Sequence, residues 1–209
     1  MIITPCPHGL EDVLGKSVGY RTPGVHVSAL YGALYKRLDP KRFTGDMPDP
    51  VRLEAGLSFE NVVEDELRRR LSAFRPGEIV SPEGIIMSPD LIVFNGSVRT
   101  GEIKLTWMSS REMPMERANG VPPQFQHWIT QIMSYAHILE NPLAKLIGYF
   151  VNGTYPRGAP APQILAWELE FTARELRDNW TMLTKFGHEI GLLRGGRVIS
   201  PEEYAQHGK

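Results

Sequence analysis

The middle of the chain carries the feature that most restricts its fold, two β-type runs joined by a tight-turn dipeptide. Asn95-Gly96 joins the runs 90–95 and 98–105. Because the central residues of a type I′ turn need positive φ angles, Asn-Gly in this setting predicts a β-hairpin. Further β-type runs precede it at 78–80 and 84–87. The whole segment is therefore predicted to form an antiparallel meander.

Helical and strand patterns flank this segment on both sides. Helices are predicted at about 27–38 with Ser28 as N-cap, from Gly56 to a stop at Pro76-Gly77, at 123–139 and at 172–193, and further strands at 145–151 and 163–171. The stretches 39–50 and 106–122 lack a sustained period and are predicted to be loops. This order of elements predicts an α/β fold in which helices flank a β-sheet.

The composition limits the classes of protein to which the chain can belong. Its 209 residues, 42% apolar and 22% charged with a formal charge of −1, fit one globular domain and exclude a disordered chain, a coiled coil and a disulfide-stapled miniprotein. No apolar run approaches the roughly 20 residues of a membrane-spanning helix, and the N-terminus lacks the order of a secretory signal. A cytoplasmic protein without a membrane partner is expected. The lone Cys6 cannot anchor a soft-metal site, so any metal should have oxygen ligands.

Three charged residues lie inside the otherwise apolar hairpin. Glu102 and Lys104 share one strand face because strand side chains alternate. Counting outward from the turn brings Asp90 close to Glu102 if the pairing is in register. Carboxylates among Ile, Leu and Val are costly to desolvate unless they pair or hold a metal, and Mg²⁺ or Mn²⁺ suits such ligands. The alternative is a salt bridge between Glu102 and Lys104 at a strand edge.

A third carboxylate is expected to point towards these two from the second helix. Glu60 lies at the edge of the apolar stripe that should face the sheet. Glu64 is the competing candidate, although a solvated helix position near Arg68 explains it better. Gln131 lies on the largely apolar third helix and needs a buried partner, either the site carboxylates or Lys104 or, alternatively, a neighbouring carbonyl.

These residues resemble the PD-(D/E)XK nucleases, within them the branch of the phage lambda exonuclease and RecB-type (YqaJ-like) nuclease domains. The resemblance covers roughly residues 20–150 and has four parts: Gly56 to Asn61 with Glu60, Pro89-Asp90 with Glu102-Ile103-Lys104, Gln131 with Tyr135, and Arg21 with Ser28. It implies a restriction-endonuclease-like core with a central mixed β-sheet, at about 50–152 of a single domain 1–209.

The resemblance also implies roles for the individual residues. Glu60, Asp90, Glu102 and the main-chain carbonyl of Ile103 would hold one or two Mg²⁺ or Mn²⁺ ions, with Lys104 and Gln131 completing the catalytic set. Arg21 and Ser28 would receive a 5′-phosphate, with a third basic residue open among Arg37, Lys41 and Arg42. Tyr135, otherwise a core aromatic residue, would contact DNA. Apart from the resemblance, Arg111 and Arg117 in the long loop are expected either to contact DNA phosphates or to be solvated.

The function expected from these observations is a metal-dependent deoxyribonuclease, a 5′–3′ exonuclease on linear duplex ends in phage-type recombination or DNA repair. A basic excess between Lys16 and Arg52 suits DNA as partner, although a solvated face would carry the same charges. A structure-specific endonuclease with the same site and a catalytically inactive DNA-binding module are the alternatives. The resemblance further implies a trimeric ring and a partner protein that anneals single strands.

Overall fold

The computed structural model describes residues 22–43, 50–70, 72–94, 98–113, 120–152, 161–194 and 197–198. Its helices are α1 (Val27–Leu38), α2 (Pro50–Arg70), α3 (Gln126–Ile138) and α4 (Ala173–Glu189). Its strands are β1 (Val25–His26), β2 (Ser72–Phe74), β3 (Ile79–Val80), β4 (Ile85–Met87), β5 (Leu91–Phe94), β6 (Val98–Thr106), β7 (Leu143–Phe150), β8 (Gln163–Glu170), β9 (Leu193–Arg194) and β10 (Arg197–Val198).

The strands form a large mixed sheet and two small sheets. The five-stranded sheet has the order β2-β5-β6-β7-β8, with β6 and β7 parallel and every other pair antiparallel. A three-stranded sheet has the order β1-β4-β3, and β9 pairs with β10. The prediction of an α/β fold with a central mixed sheet flanked by helices is confirmed.

Helices cover both faces of the large sheet because the inner strand β7 carries buried apolar side chains on both of its sides. Leu146 and Phe150 of β7 pack against α3 through Ile132. The intervening Ile147 faces the opposite side and packs with Val63 of α2. Helices α1 and α4 then pack against the outer side of α3 and the small sheet, which buries a cluster that includes Leu30, Leu183 and Ile85.

The predicted hairpin is present, but the predicted four-stranded meander is wrong. β5 pairs with β6 as expected, while the turn Asn95-Gly96 lies outside the described residues. β3 and β4 belong to the separate small sheet. β4 is buried along its whole length and pairs with β3 on one side and with β1 on the other. Both of its edges are therefore taken, and it cannot join β5.

The N-cap of α1 and both limits of α2 differ from the prediction. Helix α1 begins at Val27, and its N-cap is His26 without a side-chain hydrogen bond, so the N-cap role of Ser28 is wrong. Helix α2 begins at Pro50 rather than Gly56, since proline suits the first turn of a helix. It ends at Arg70, well before Pro76-Gly77, and the strand β2 follows it. The sequence pattern did not indicate β2, because this strand is defined by its pairing with β5.

The C-terminal elements agree with the predicted order. β7, β8 and α4 fall within two residues of their predicted starts. A capping box starts α4, since the Thr172 hydroxyl accepts from the Glu175 amide and the Glu175 carboxylate accepts from the Thr172 amide. Within the described ranges, no helix combines the length and the apolar character needed to span a bilayer.

Candidate active site

The predicted charged residues gather in one cavity of about 630 Å³ between α1, α2, α3 and β6. Its walls include Ser28, Glu60, Asp90, Glu102, Lys104 and Gln131. These residues come from four elements that are far apart in sequence. The cavity therefore exists because α3 lies on the face of β6 that carries Glu102 and Lys104, with α1 beside α3.

The register of the hairpin brings Asp90 and Glu102 together, as predicted from the turn. Leu91 pairs with Gly101, so Asp90, the residue before β5, lies opposite Glu102. The Asp90 Oδ2 atom accepts a 2.7 Å hydrogen bond from the Ile103 amide, which ties the carboxylate to the backbone of β6. Burial raises the pKa of Asp90 even though Lys104 and this hydrogen bond act in the opposite direction.

Glu102 is the most unusual group in the cavity. Its side chain is 1% exposed, and one carboxylate oxygen accepts from Lys104. The other oxygen, Oε2, is buried and has no hydrogen-bond partner within the described part of the chain. Burial, with the charge of Asp90, raises the pKa of Glu102 to about 8 despite the ammonium beside it. A buried oxygen of this kind is satisfied by a proton or by a cation.

Lys104 is held between a carboxylate and an amide. Besides Glu102 it donates to the Gln131 Oε1 atom at 2.9 Å, so the predicted pairing of Gln131 with Lys104 is present. Gln131 in turn donates to the Tyr135 hydroxyl at 2.7 Å. Burial, the largest single influence, lowers the pKa of Lys104, but the combined interactions with Glu102, Tyr31 and Asp90 outweigh burial and raise it. The ammonium therefore stays charged.

Glu60 lies on the α2 side of the cavity and pairs with Arg75. The same guanidinium donates to the Glu64 carboxylate at 3.0 Å, and Arg68 pairs with Glu64 as well. The interpretation of Glu64 as a solvated position is wrong, because its side chain is only 7% exposed. Glu64 can be buried because it pairs with two cations. Arg75, which follows the unpredicted strand β2, is the second of these beside Arg68.

The acidic residues suit a hard divalent cation, although the structure does not assemble them as a finished site. In the described ranges, no three His, Cys, Asp or Glu side chains converge as a set of metal ligands. Ion pairs with Arg75 and Lys104 hold two of the three predicted carboxylates. The unsatisfied Oε2 of Glu102 next to Asp90 is nevertheless the environment that Mg²⁺ or Mn²⁺ would satisfy. The set Glu60, Asp90, Glu102 and Ile103 thus stays a prediction.

The predicted DNA-binding residues divide into three groups. Ser28 lines the cavity from α1. Tyr135 also lines it, but the ring is only 3% exposed and belongs to the core cluster, so its contact with DNA stays a prediction. Arg111 is exposed on a short 3₁₀ turn outside the cavity lining. Arg21 and Arg117 lie outside the described residues.

Two residues that the sequence analysis did not single out belong to this site. Tyr31 lies among the apolar residues that repeat at helical spacing in 27–38, and its hydroxyl donates to the Gln131 Oε1 atom at 3.0 Å. Its position one helical turn after Ser28 was the available signal, because residues three apart share a helix face. Arg75 had no comparable signal, since its partners lie on another element.

Comparisons with known proteins define the fold but not the activity. No protein-family model matches the sequence, and none of the curated proteins matches it. The crystal structure of SSO0001 is similar with a TM-score of 0.51 and 14% identity, over 85% of this chain and 86% of that one. Two structures of LHK-Exo, an alkaline exonuclease from Laribacter hongkongensis, are also similar, at 17% identity over 79% of this chain and 87% of theirs. The structure in complex with dAMP has a TM-score of 0.49, and the other has a TM-score of 0.47. The function has to be argued from the residues of the site.

Proposed function

We propose that this protein is a divalent-metal-dependent deoxyribonuclease of the PD-(D/E)XK type, which hydrolyses phosphodiester bonds in the cavity described above. One observation carries the proposal. Asp90, Glu102 and Lys104 meet in a cavity with Gln131, and a buried carboxylate oxygen of Glu102 has no partner among the described residues. Such an arrangement is costly for a purely structural cluster and useful for binding a cation beside a phosphate.

Each residue has a distinct part in the proposed chemistry. Glu60, Asp90, Glu102 and the Ile103 carbonyl would hold one or two Mg²⁺ or Mn²⁺ ions, which supply Lewis-acid stabilisation of the phosphoryl oxygen and make water more acidic. Lys104 stays protonated and donates a hydrogen bond to the attacking water or to the charge that develops on the phosphate. Gln131, held by Tyr135, keeps the ammonium of Lys104 in place.

The finer proposal is a 5′–3′ exonuclease that starts at linear duplex ends in the cytoplasm, in phage-type recombination or DNA repair. Ser28 lines the cavity from α1, which suits a residue that receives a terminal phosphate together with Arg21. Tyr135, Arg111 and Arg117 would contact the DNA backbone. A trimeric ring and a single-strand-annealing partner complete this proposal.

The test is digestion of matched linear and covalently closed circular duplexes with Mg²⁺ or Mn²⁺, with and without chelator, and with 5′-phosphate or 5′-hydroxyl ends. We expect only linear DNA to be lost, faster from phosphorylated ends and not in chelator. Nicking of the circle would indicate the endonuclease instead. No cleavage of either substrate would overturn the proposed activity and favour a DNA-binding module.

A matched pair of variants distinguishes cleavage by this site from cleavage by a contaminating nuclease. Lys104→Ala should lower the cleavage rate by about a hundredfold or more, because a positioned acid–base or charged group contributes about that much. Lys145→Ala is the control, since Lys145 is similarly buried and paired, with Glu168 at 2.9 Å, but does not line the cavity. Equal activity of both variants and the parent would contradict the proposed site.

A further inference from the structure

Tyr31 connects helix α1 to the centre of the candidate site. Ser28 and Tyr31 lie one turn apart on α1, and both line the cavity. The Tyr31 hydroxyl donates to the Gln131 Oε1 atom at 3.0 Å, and the Lys104 ammonium donates to the same oxygen at 2.9 Å. A carbonyl oxygen has two lone pairs and can accept both bonds. Tyr31 and Lys104 therefore meet at one acceptor.

Hydrogen bonds at both the nitrogen and the oxygen fix the orientation of the Gln131 side-chain amide. Its nitrogen donates to the Tyr135 hydroxyl at 2.7 Å, and its oxygen faces the two donors Tyr31 and Lys104. Turning the amide over would place its NH₂ group against two donors in a buried environment, which is unfavourable. Gln131 is 7% exposed, so water has little access to replace a lost partner.

We propose that Tyr31 is a positioning residue, whose hydroxyl holds the Gln131 amide against Lys104 and so makes the alignment of the Lys104 ammonium depend on helix α1. This inference deepens the proposed nuclease function and rests on it. Because Ser28 lies on the same face of α1, the placement of a bound DNA end and the alignment of Lys104 are set by one turn of helix. Tyr31 would act through Gln131 and not on the phosphate itself.

The chain offers a closely matched control on the next turn of α1. The Tyr35 hydroxyl bonds the Thr130 hydroxyl at 2.9 Å, so it too bridges α1 to α3. Tyr35 does not line the cavity. Changing either tyrosine to phenylalanine keeps the ring and removes one bridge between the same two helices. A purely structural role predicts similar small decreases of the melting temperature and similar kcat values for the two variants.

The experiment measures kcat and KM of the full chain on linear duplex DNA with Mg²⁺. We expect Tyr31→Phe to lower kcat by about ten- to a hundredfold, as small misplacements of catalytic groups do, with KM changed by less than about threefold. Tyr35→Phe should leave kcat within about twofold of the parent. Melting temperatures of both variants check that each has kept its fold.

A double-mutant cycle tests whether Tyr31 acts through Gln131. In a Gln131→Ala background, Tyr31→Phe should lower kcat by less than about twofold further, because the amide that it orients is gone. Independent, multiplicative losses would overturn the inference, and so would equal kcat values for the Tyr31→Phe and Tyr35→Phe enzymes. A parent without metal-dependent cleavage would overturn the proposed function and the inference together, whereas an active parent with matched variants overturns the inference alone.

Discussion

At the scale of single residues, the site is defined by groups that the interior does not readily accommodate. Glu102 is 1% exposed and keeps one oxygen without a partner in the described ranges. The folded protein therefore holds a carboxylate whose charge is unfavourable, because burial and the charge of Asp90 outweigh its pairing with Lys104. Such a group adds little to stability, and its position beside Asp90 and Lys104 is the basis of the proposed function.

The pKa of Glu102 predicts how stability depends on pH in the absence of divalent ions. Its folded pKa of about 8 lies above the ordinary 4.5, so its contribution to stability is fully present below pH 4.5 and is lost as the pH rises through 8. We expect the melting temperature in chelator to fall between pH 6.5 and about 8, and to fall less in the Glu102→Gln variant. Thermal denaturation across this range is the measurement.

This pH range and its control isolate the buried carboxylate. His127 does not titrate there in the folded state, because burial and the charge of Lys104 lower its pKa to about 4, and its titration in the unfolded chain is common to the parent and Glu102→Gln and cancels between them. Glu168→Gln removes a half-exposed carboxylate on β8 and should keep the slope of the parent. An identical slope for the parent and Glu102→Gln would show that Glu102 does not carry the pH dependence.

At the scale of elements, the β5–β6 hairpin sets the distance between the two acidic residues. Gly101 pairs with Leu91, the residue after Asp90, and precedes Glu102. A Cβ atom at Gly101 would lie 2.8 Å from the Leu91 Cδ1 atom, and Leu91 is completely buried. The absence of a side chain at Gly101 thus leaves room for the buried Leu91 side chain, so that β5 and β6 can pair in the register that places Asp90 opposite Glu102.

Gly101→Ala should therefore lower the free energy of unfolding by about 1–3 kcal/mol, the usual effect of overpacking a core. Gly32→Ala is the matched change, because a Cβ there meets nothing within 4 Å and alanine stabilises a helix interior by up to about 1 kcal/mol. Urea denaturation of both variants gives the comparison. A Gly101→Ala protein as stable as the parent would mean that Leu91 moves aside at no cost.

At the scale of the whole molecule, the site lies where four elements from distant parts of the chain meet. Glu60 comes from α2, Asp90 and Glu102 from the hairpin, and Gln131 from α3. The formal net charge of −1 gives no general attraction to DNA, so the proposed binding of DNA would depend on local groups. A ligand that bridges these elements should stabilise the entire fold.

Addition of Mn²⁺ should accordingly raise the melting temperature of the parent, since a ligand at a hundred times its dissociation constant stabilises the native state by about 2.7 kcal/mol. The Asp90→Asn variant should lose most of this shift, because the charge that adjoins Glu102 is removed. Scanning fluorimetry with Mn²⁺, with chelator and with KCl of equal ionic strength measures it. Equal Mn²⁺ shifts in the parent and Asp90→Asn would place the cation elsewhere.

Part of the fold and of the site is predictable because it is encoded in neighbouring residues. The register of the hairpin places Asp90 opposite Glu102, close to the in-register pairing expected from counting outward from Asn95-Gly96. Strand alternation alone puts Lys104 on the face of Glu102, and helical periodicity indicates α1, α3 and α4 close to their observed limits. These features depend on turn chemistry and side-chain period, which act over a few residues.

The remaining features depend on contacts between segments that the local pattern does not connect. β1 pairs with β4 across about sixty residues, and β2 is a strand only because β5 offers its free edge. Arg75 reaches Glu60 and Glu64, and Tyr31 reaches Gln131, only after the helices have packed. The local pattern was enough to predict the hairpin, the helices α1, α3 and α4, and the proximity of Asp90 to Glu102. The tertiary structure decided which partners those residues meet, because packing and chain closure are properties of the whole chain.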